Sequence, residues 1–217
     1  MNPRLKRLVK ILFSPFHRVG LKNRDFTIIS NNCWGGFYYD RYHLRYLSPT
    51  IGLFIPPKDY LKFIADIKKY LDYDDLVQVN VNESKHRDML LRKQEANLIG
   101  DADHLIIGKL LDIEIIFLHY TSFEDAKQKW NRRKQRINWG NIVFKFNDQN
   151  EFEREDLDVF LKIPVENKIF FTSDRSFLGL ENVVVDFNAK NDRGYIFDDM
   201  HVKKFNFKKY INSIRRT

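Results

Sequence analysis

Short apolar, β-branched runs that end in polar turns, alternating with helical stretches, constrain this chain more than any other feature. Residues 26–30 (Phe-Thr-Ile-Ile-Ser) read as a buried strand, closed by the turn signal Asn31-Asn32-Cys33-Trp34-Gly35-Gly36. Residues 76–81 alternate as a second strand, and residues 105–107 and 113–118 read as two more on either side of Gly108. Further strands are expected over 141–146, 168–172 and 183–187. Between them, 59–73 places Tyr60, Phe63, Ile64, Ile67 and Leu71 on one helical face. A helix from Thr121 to about Arg136 opens on a capping box, either Thr121 with Glu124 or Ser122 with Asp125. A short helix is expected over 156–161, and 84–96 reads as a helix or a long loop. Strands separated by helices of this length imply an α/β fold, a mostly parallel sheet flanked by helices. Gly100-Asp101 leaves open a division into two small α/β subdomains.

At 217 residues the chain is long enough to bury a core without covalent staples, hiding roughly 70% of its unfolded surface. Its single cysteine, Cys33, excludes an internal disulfide and a cysteine-based zinc site. The net charge of +8 is unevenly spread. No acid precedes Asp25, whereas Arg4, Lys6, Arg7, Lys10, Arg18, Lys22 and Arg24 do, interleaved with leucine, valine and isoleucine. Residues 1–24 therefore form a basic amphipathic N-terminal segment ahead of an α/β domain over 25–217. Its apolar run is too short to span a membrane and lacks a secretory core. The expected location is cytoplasmic, with this segment either resting on the anionic inner face of a membrane or docked as a solvated terminus. Net charge alone would suggest nucleic acid, but no helix-turn-helix, ribonucleoprotein motif or zinc finger supports it. Walker, G-x-G-x-x-G, G-x-S-x-G and H-E-x-x-H patterns are also missing, so no metal ligand set or cofactor is named by the sequence.

In open α/β sheets ligands gather outside the carboxyl ends of strands, near helix N-termini. That rule selects Asn31, Asn32 and Cys33; His119, Tyr120, Thr121 and Ser122; and Asp148, Ser173 and Asp174. The two amides offer donors and acceptors, and Gly35 and Gly36 allow close backbone approach. Cys33 is either a thiolate nucleophile or a small residue packed beside Trp34. His119 is the acid–base candidate, with a structural histidine as its alternative. On the following helix Phe123, Ala126, Trp130, Arg133 and Ile137 share a face, which sets an arginine among apolar groups. Arg133 then needs a carboxylate, such as Asp112 or Glu114, or an anionic ligand. Arg132 and Arg136 extend the same basic face.

Together Ile28 to Gly36, Tyr46-Leu47-Ser48-Pro49-Thr50, Asp59-Tyr60, Asp112-Ile113-Glu114-Ile115 with His119-Tyr120, and Lys129-Trp130-Asn131-Arg132-Arg133 with Arg136-Ile137-Asn138 resemble an uncharacterised bacterial family. Its members are often labelled exopolysaccharide biosynthesis proteins and occur with capsule or lipopolysaccharide genes. The resemblance spans about residues 25–187, leaving the basic first two dozen outside, and implies an α/β fold without assigning any residue a role. Read with the basic helix, it implies a transferase in surface-polysaccharide assembly acting on a phosphate-bearing sugar nucleotide or lipid-linked glycan. Arg132, Arg133 and Arg136 would grip phosphate, and Asn31, Asn32, His119, Thr121 and Ser122 would line the acceptor side. The alternatives are a non-enzymatic partner or regulator of that assembly, and a Cys33-dependent hydrolase or acyltransferase.

Overall fold

The computed structural model describes residues 15–187, 202 and 205–216. In chain order the strands are β1 (Thr27–Ser30), β2 (Val77–Val79), β3 (Ile106–Leu110), β4 (Ile113–Phe117), β5 (Ile142–Asn147), β6 (Lys168–Thr172) and β7 (Val183–Val185). The helices are α1 (Trp34–Arg41), α2 (Pro57–Ala65), α3 (Ile67–Asp72), α4 (Arg87–Glu95), α5 (Phe123–Lys134), α6 (Arg154–Lys162) and α7 (Phe207–Ser213). The expected α/β class holds, but the strands divide into two sheets. One has four parallel strands in the order β1-β5-β6-β7, and the other is the antiparallel set β2-β3-β4.

Side-chain alternation explains why the parallel strands read as continuous apolar runs. Ile29, Phe144, Phe146 and Phe170 enter one core, and Ile28, Val143, Ile169 and Phe171 enter the other. The first core is closed by α2, α5, α6 and the β4 residues Ile113, Ile115 and Phe117. The second is closed by Trp34, Tyr38 and Tyr39 of α1 and by Phe207 and Ile211 of α7. A third, smaller cluster packs Met89 and Leu90 of α4 on Ile107, Ile116 and Phe54.

Several sequence expectations are corrected. Gly108 does not separate two strands; it lies within β3, where an added Cβ would stand 2.8 Å from a Phe117 ring atom and 2.9 Å from Leu76. The chain reverses instead at Leu111 and Asp112, with Leu111 at φ 56°, making β3 and β4 an antiparallel hairpin. The helix expected over 59–73 breaks at Asp66, whose φ of −140° is not helical. Stretch 84–96 resolves as the helix α4. Trp34-Gly35-Gly36 belongs to the first turn of the eight-residue helix α1 rather than to a loop. Gly100-Asp101 falls in the connection between α4 and β3. Of the basic N-terminal segment, residues 1–14 lie outside the described residues, and Leu21 is buried in the second core.

What positions the functional region is the protection of β1, an edge strand. Segment 46–55 runs along it: the Ser30 amide donates to Thr50 Oγ1 at 3.0 Å, and the Ile55 amide donates to the Asn31 carbonyl at 2.8 Å. The same segment pairs with the other sheet, since Phe54 and Ile116 exchange two backbone hydrogen bonds of 2.8 Å each. Gly52, at φ 71°, accepts from the Leu118 and His119 amides at 3.0 Å. A positive φ with His119 Cβ in contact suits glycine, and it brings the end of β4 beside the end of β1.

Candidate functional site

Three pieces of chain meet over this junction. The start of α1, the 46–52 segment and the β4–α5 connection enclose a cleft of about 390 Å³. Its wall includes Cys33, Asp40, His119, Tyr120, Lys129 and Arg133. Cys33 and His119 therefore line one cavity although they follow strands of different sheets, β1 of the parallel one and β4 of the antiparallel one.

Arg133 is the unusual group. It is only 7% exposed. Its Nη1 donates to the Tyr120 hydroxyl at 2.7 Å and to the Ile51 carbonyl at 3.4 Å. The guanidinium lies over the rings of Tyr46, at 5.0 Å, and Tyr120, at 5.9 Å. The buried Nε donates to nothing. Neither carboxylate expected as its structural partner serves: Asp112 pairs with Lys62 and accepts from Tyr70, and Glu114 accepts from Ser84 and the Lys85 amide. Among the described residues no carboxylate forms an ion pair with Arg133, and Asp125 is taken by Lys129 at 2.7 Å. Burial pushes the Tyr120 hydroxyl up, against the lowering pull of Arg133, so at neutral pH it remains a neutral phenol and offers no counter-charge. Arg45, Arg132 and Arg136 crowd the same side; burial and the positive charge of its three arginine neighbours, Arg133 included, push the Arg136 guanidinium down.

Other predicted residues take different places. Asn31 is fully buried, and its amide donates to Asn147 at 2.9 Å, so it serves the sheet edge and not a ligand. Asn32 Oδ1 accepts from the Trp34 amide at 3.1 Å and from Lys145 at 2.9 Å, which starts α1. Gly35 packs on β1, where a Cβ would lie 3.0 Å from Ile28 Cγ2, while Gly36 lines the cleft. Ser122 is the N-cap of α5, accepting from the Asp125 amide at 3.1 Å; Thr121 and Arg132 are exposed. Asp148 accepts from the Thr172 hydroxyl at 2.6 Å and the Ser173 amide at 3.2 Å, and Asp174 from the Ser176 amide at 2.8 Å. The carboxyl edge of the parallel sheet is thus a knitted polar network.

Sequence reasoning missed Lys145, fully buried at the centre of that network, although a lysine inside the run Ile142-Val-Phe-Lys-Phe is a legible warning of a built polar site. It also missed Lys129, Tyr46 and Asp40, which only the tertiary arrangement brings to the cleft. A second cavity, about 340 Å³, also reaches Cys33 and is lined by Met89, Leu90, Arg92 and Lys93 of α4, by apolar residues including Phe54, Leu98 and Ile116, and by residues 149–151. Cys33 belongs to both walls. It is the N-cap of α1, partly exposed, with its sulfur 3.9 Å from the Leu53 carbonyl. Among the described residues no cluster of three or more metal-ligating side chains occurs, and no helix is long and apolar enough to cross a membrane.

The cleft thus combines a buried arginine, a lysine, a thiol, an imidazole and two phenols with one carboxylate, Asp40; its two cations outnumber that acid, which leaves room for an anionic group beside an acid–base residue. A protein of Haemophilus influenzae named only as uncharacterized is 29% identical over 152 residues, which cover 70% of this chain and 64% of that protein. The chain therefore matches less than two thirds of that relative's length. The family described as a domain of unknown function, DUF1919, matches residues 4–217, so the basic segment expected to lie outside falls largely within it. Matched over nearly its whole length, the chain belongs to the DUF1919 family.

Proposed function

We propose that this protein is a transferase of surface-polysaccharide assembly that binds a phosphate-bearing sugar nucleotide or lipid-linked glycan in the arginine cleft. The observation that carries the reading is Arg133: a buried guanidinium without a described carboxylate, with an unpartnered Nε, on the wall of a cavity of ligand size. A phosphate entering the cleft supplies the missing negative charge, and Lys129 and Arg136 add to the attraction. His119 stands on the same wall as the general base. In transfer from a sugar diphosphate, the acceptor hydroxyl gives its proton to His119 and its oxygen bonds to the anomeric carbon. The bond from that carbon to the phosphate oxygen breaks, and its electron pair leaves on the diphosphate beside Arg133. The exopolysaccharide context rests on the resemblance of the motifs, and the basic N-terminal segment suits a peripheral position at the inner membrane face.

A second reading is favoured by the place of Cys33, which caps α1 and lines both cavities: a thiol-dependent acyl transfer or hydrolysis. One binding experiment tests the main reading. Thermal melts with inorganic phosphate and with uridine diphosphate sugars should show stabilisation of the wild type, about 2.7 kcal/mol at one hundred times the dissociation constant. Arg133→Lys keeps the charge but loses the planar fork, so the response should fall while the unliganded melt stays close to wild type. An undiminished response in Arg133→Met would refute the phosphate role of this residue.

A further inference from the structure

The second cavity shares Cys33 with the arginine cleft and adds an aliphatic floor beneath a rim that includes Asn32, Gln149 and Asn150. Met89, Leu90, Phe54 and Ile116 form its buried floor. Leu98 and Leu118 stand at its wall with 60% and 39% of their surface exposed. Exposed leucines around a concave apolar floor are surface that gains from being covered. Of its charged lining residues, Arg92 pairs with Glu151, and Lys93 lies 4.8 Å above the Phe54 ring. The arginine cleft thus holds the underused cation and the second cavity the aliphatic floor, and Cys33 lines both.

We infer that the two cavities open into one another at Cys33 and together take one amphiphilic phosphate: the phosphate sits at Arg133, and a single hydrocarbon chain passes Cys33 into the cavity under α4. The inference rests on the phosphate reading of the arginine cleft and sharpens it, because it selects a lipid-linked substrate over a soluble nucleotide sugar for this site. Charge complementarity decides the orientation. The apolar cavity offers a phosphate only Arg92 and Lys93, both already engaged, whereas Arg133 has an unused donor. The chain, conversely, finds no comparable apolar floor around Lys129, Asp40 and His119.

The test compares inorganic phosphate with decyl phosphate, below its micellar concentration, by titration calorimetry on the full chain. Decyl phosphate should bind at least about tenfold more tightly, a difference of about 1.4 kcal/mol, since each buried methylene adds about 0.8 kcal/mol. Leu98→Glu combined with Leu118→Glu changes only exposed side chains, so the fold should persist; it should abolish the chain's advantage and leave inorganic phosphate binding unchanged. Leu90→Trp, which fills the cavity floor, should do the same. Equal affinity of the two ligands, both lost in Arg133→Met, would overturn the inference and leave the phosphate reading standing. An advantage that survives both cavity variants would also overturn it, since the chain would then lie elsewhere. Binding of neither ligand would remove the phosphate reading and this inference together.

Discussion

Two clusters of buried charge lie within the antiparallel layer and its helices, and they are built on opposite principles. Around Asp59 every demand is met. Its carboxylate accepts from Lys85 at 2.7 Å, from His86 Nε2 at 2.8 Å and from the Glu114 amide at 2.8 Å. Glu114 in turn accepts from Ser84 at 2.5 Å. This cluster ties α2, β4 and the segment leading into α4 together. Lys168 is similarly served, donating to the Ile163 carbonyl at 2.8 Å and to those of Leu161 and Phe160 at the end of α6. Arg133 has a phenol, a distant carbonyl and two ring faces, with Nε idle. A saturated cluster stabilises a fold; the unsaturated buried cation lining a cavity is the feature on which the proposed phosphate site rests.

The sharpest way to break this contrast is Asp59→Ala. It leaves the Glu114 amide without its partner and removes the acceptor of Lys85 and His86, so unfolding by denaturant should show a loss of about 3–5 kcal/mol. A loss below about 1 kcal/mol would show that the cluster is not a structural tie. The next effect is in acid. Burial alone pushes the Asp59 carboxyl up, but the hydrogen bonds from His86, Lys85 and the Glu114 amide outweigh it and hold the group below its ordinary value of 3.8. Its stabilisation is complete above that value and is lost as the pH falls through 3.8 toward the lower folded value. Unfolding measured from neutral pH down to about pH 2 should therefore fall more steeply in the wild type than in Asp59→Asn.

Arg133→Met should behave differently in kind. No described acid is orphaned, and replacing a buried cation with a matched apolar side chain is often neutral or better, so stability should change by no more than about 1 kcal/mol while phosphate binding is lost. A loss as large as that of Asp59→Ala would place Arg133 among the structural groups and end the contrast. Smallest of all is Cys33→Ala, expected within about 1 kcal/mol of wild type because a thiol is a weak donor and its contact with the Leu53 carbonyl, at 3.9 Å, is long. Turnover on a surface-polysaccharide donor should persist in this variant. Its disappearance with the fold intact would favour the thiol reading over the phosphate one.

The strands were legible because both faces of the parallel sheet are buried, which sets apolar residues side by side in Ile28-Ile29 and Ile169-Phe170-Phe171. Helix α5 was legible from Ser122 and Asp125, and its inward Arg133 from spacing alone. Asn31 was misread for a physical reason: an amide at a strand end looks the same whether it meets a ligand or, as here, Asn147 on the neighbouring strand. The glycines of α1 were misread likewise, since a Gly-Gly pair signals a turn, and only the packing of Gly35 on Ile28 reveals a helix pressed against β1.

By itself the sequence determined the alternation of strands and helices, the start and basic face of α5 and the inward placement of an arginine, because periodicity and capping are local properties of consecutive residues. Only the tertiary structure decided that β3 and β4 leave the parallel sheet as a hairpin, and that Asp112 and Glu114 turn away from Arg133 toward Lys62 and Ser84. It also decided that residues as distant as Tyr46, Tyr120 and Arg133 close around one cleft. Partner choice of this kind depends on which strand covers which edge, and that is settled by the packing of segments far apart in the chain.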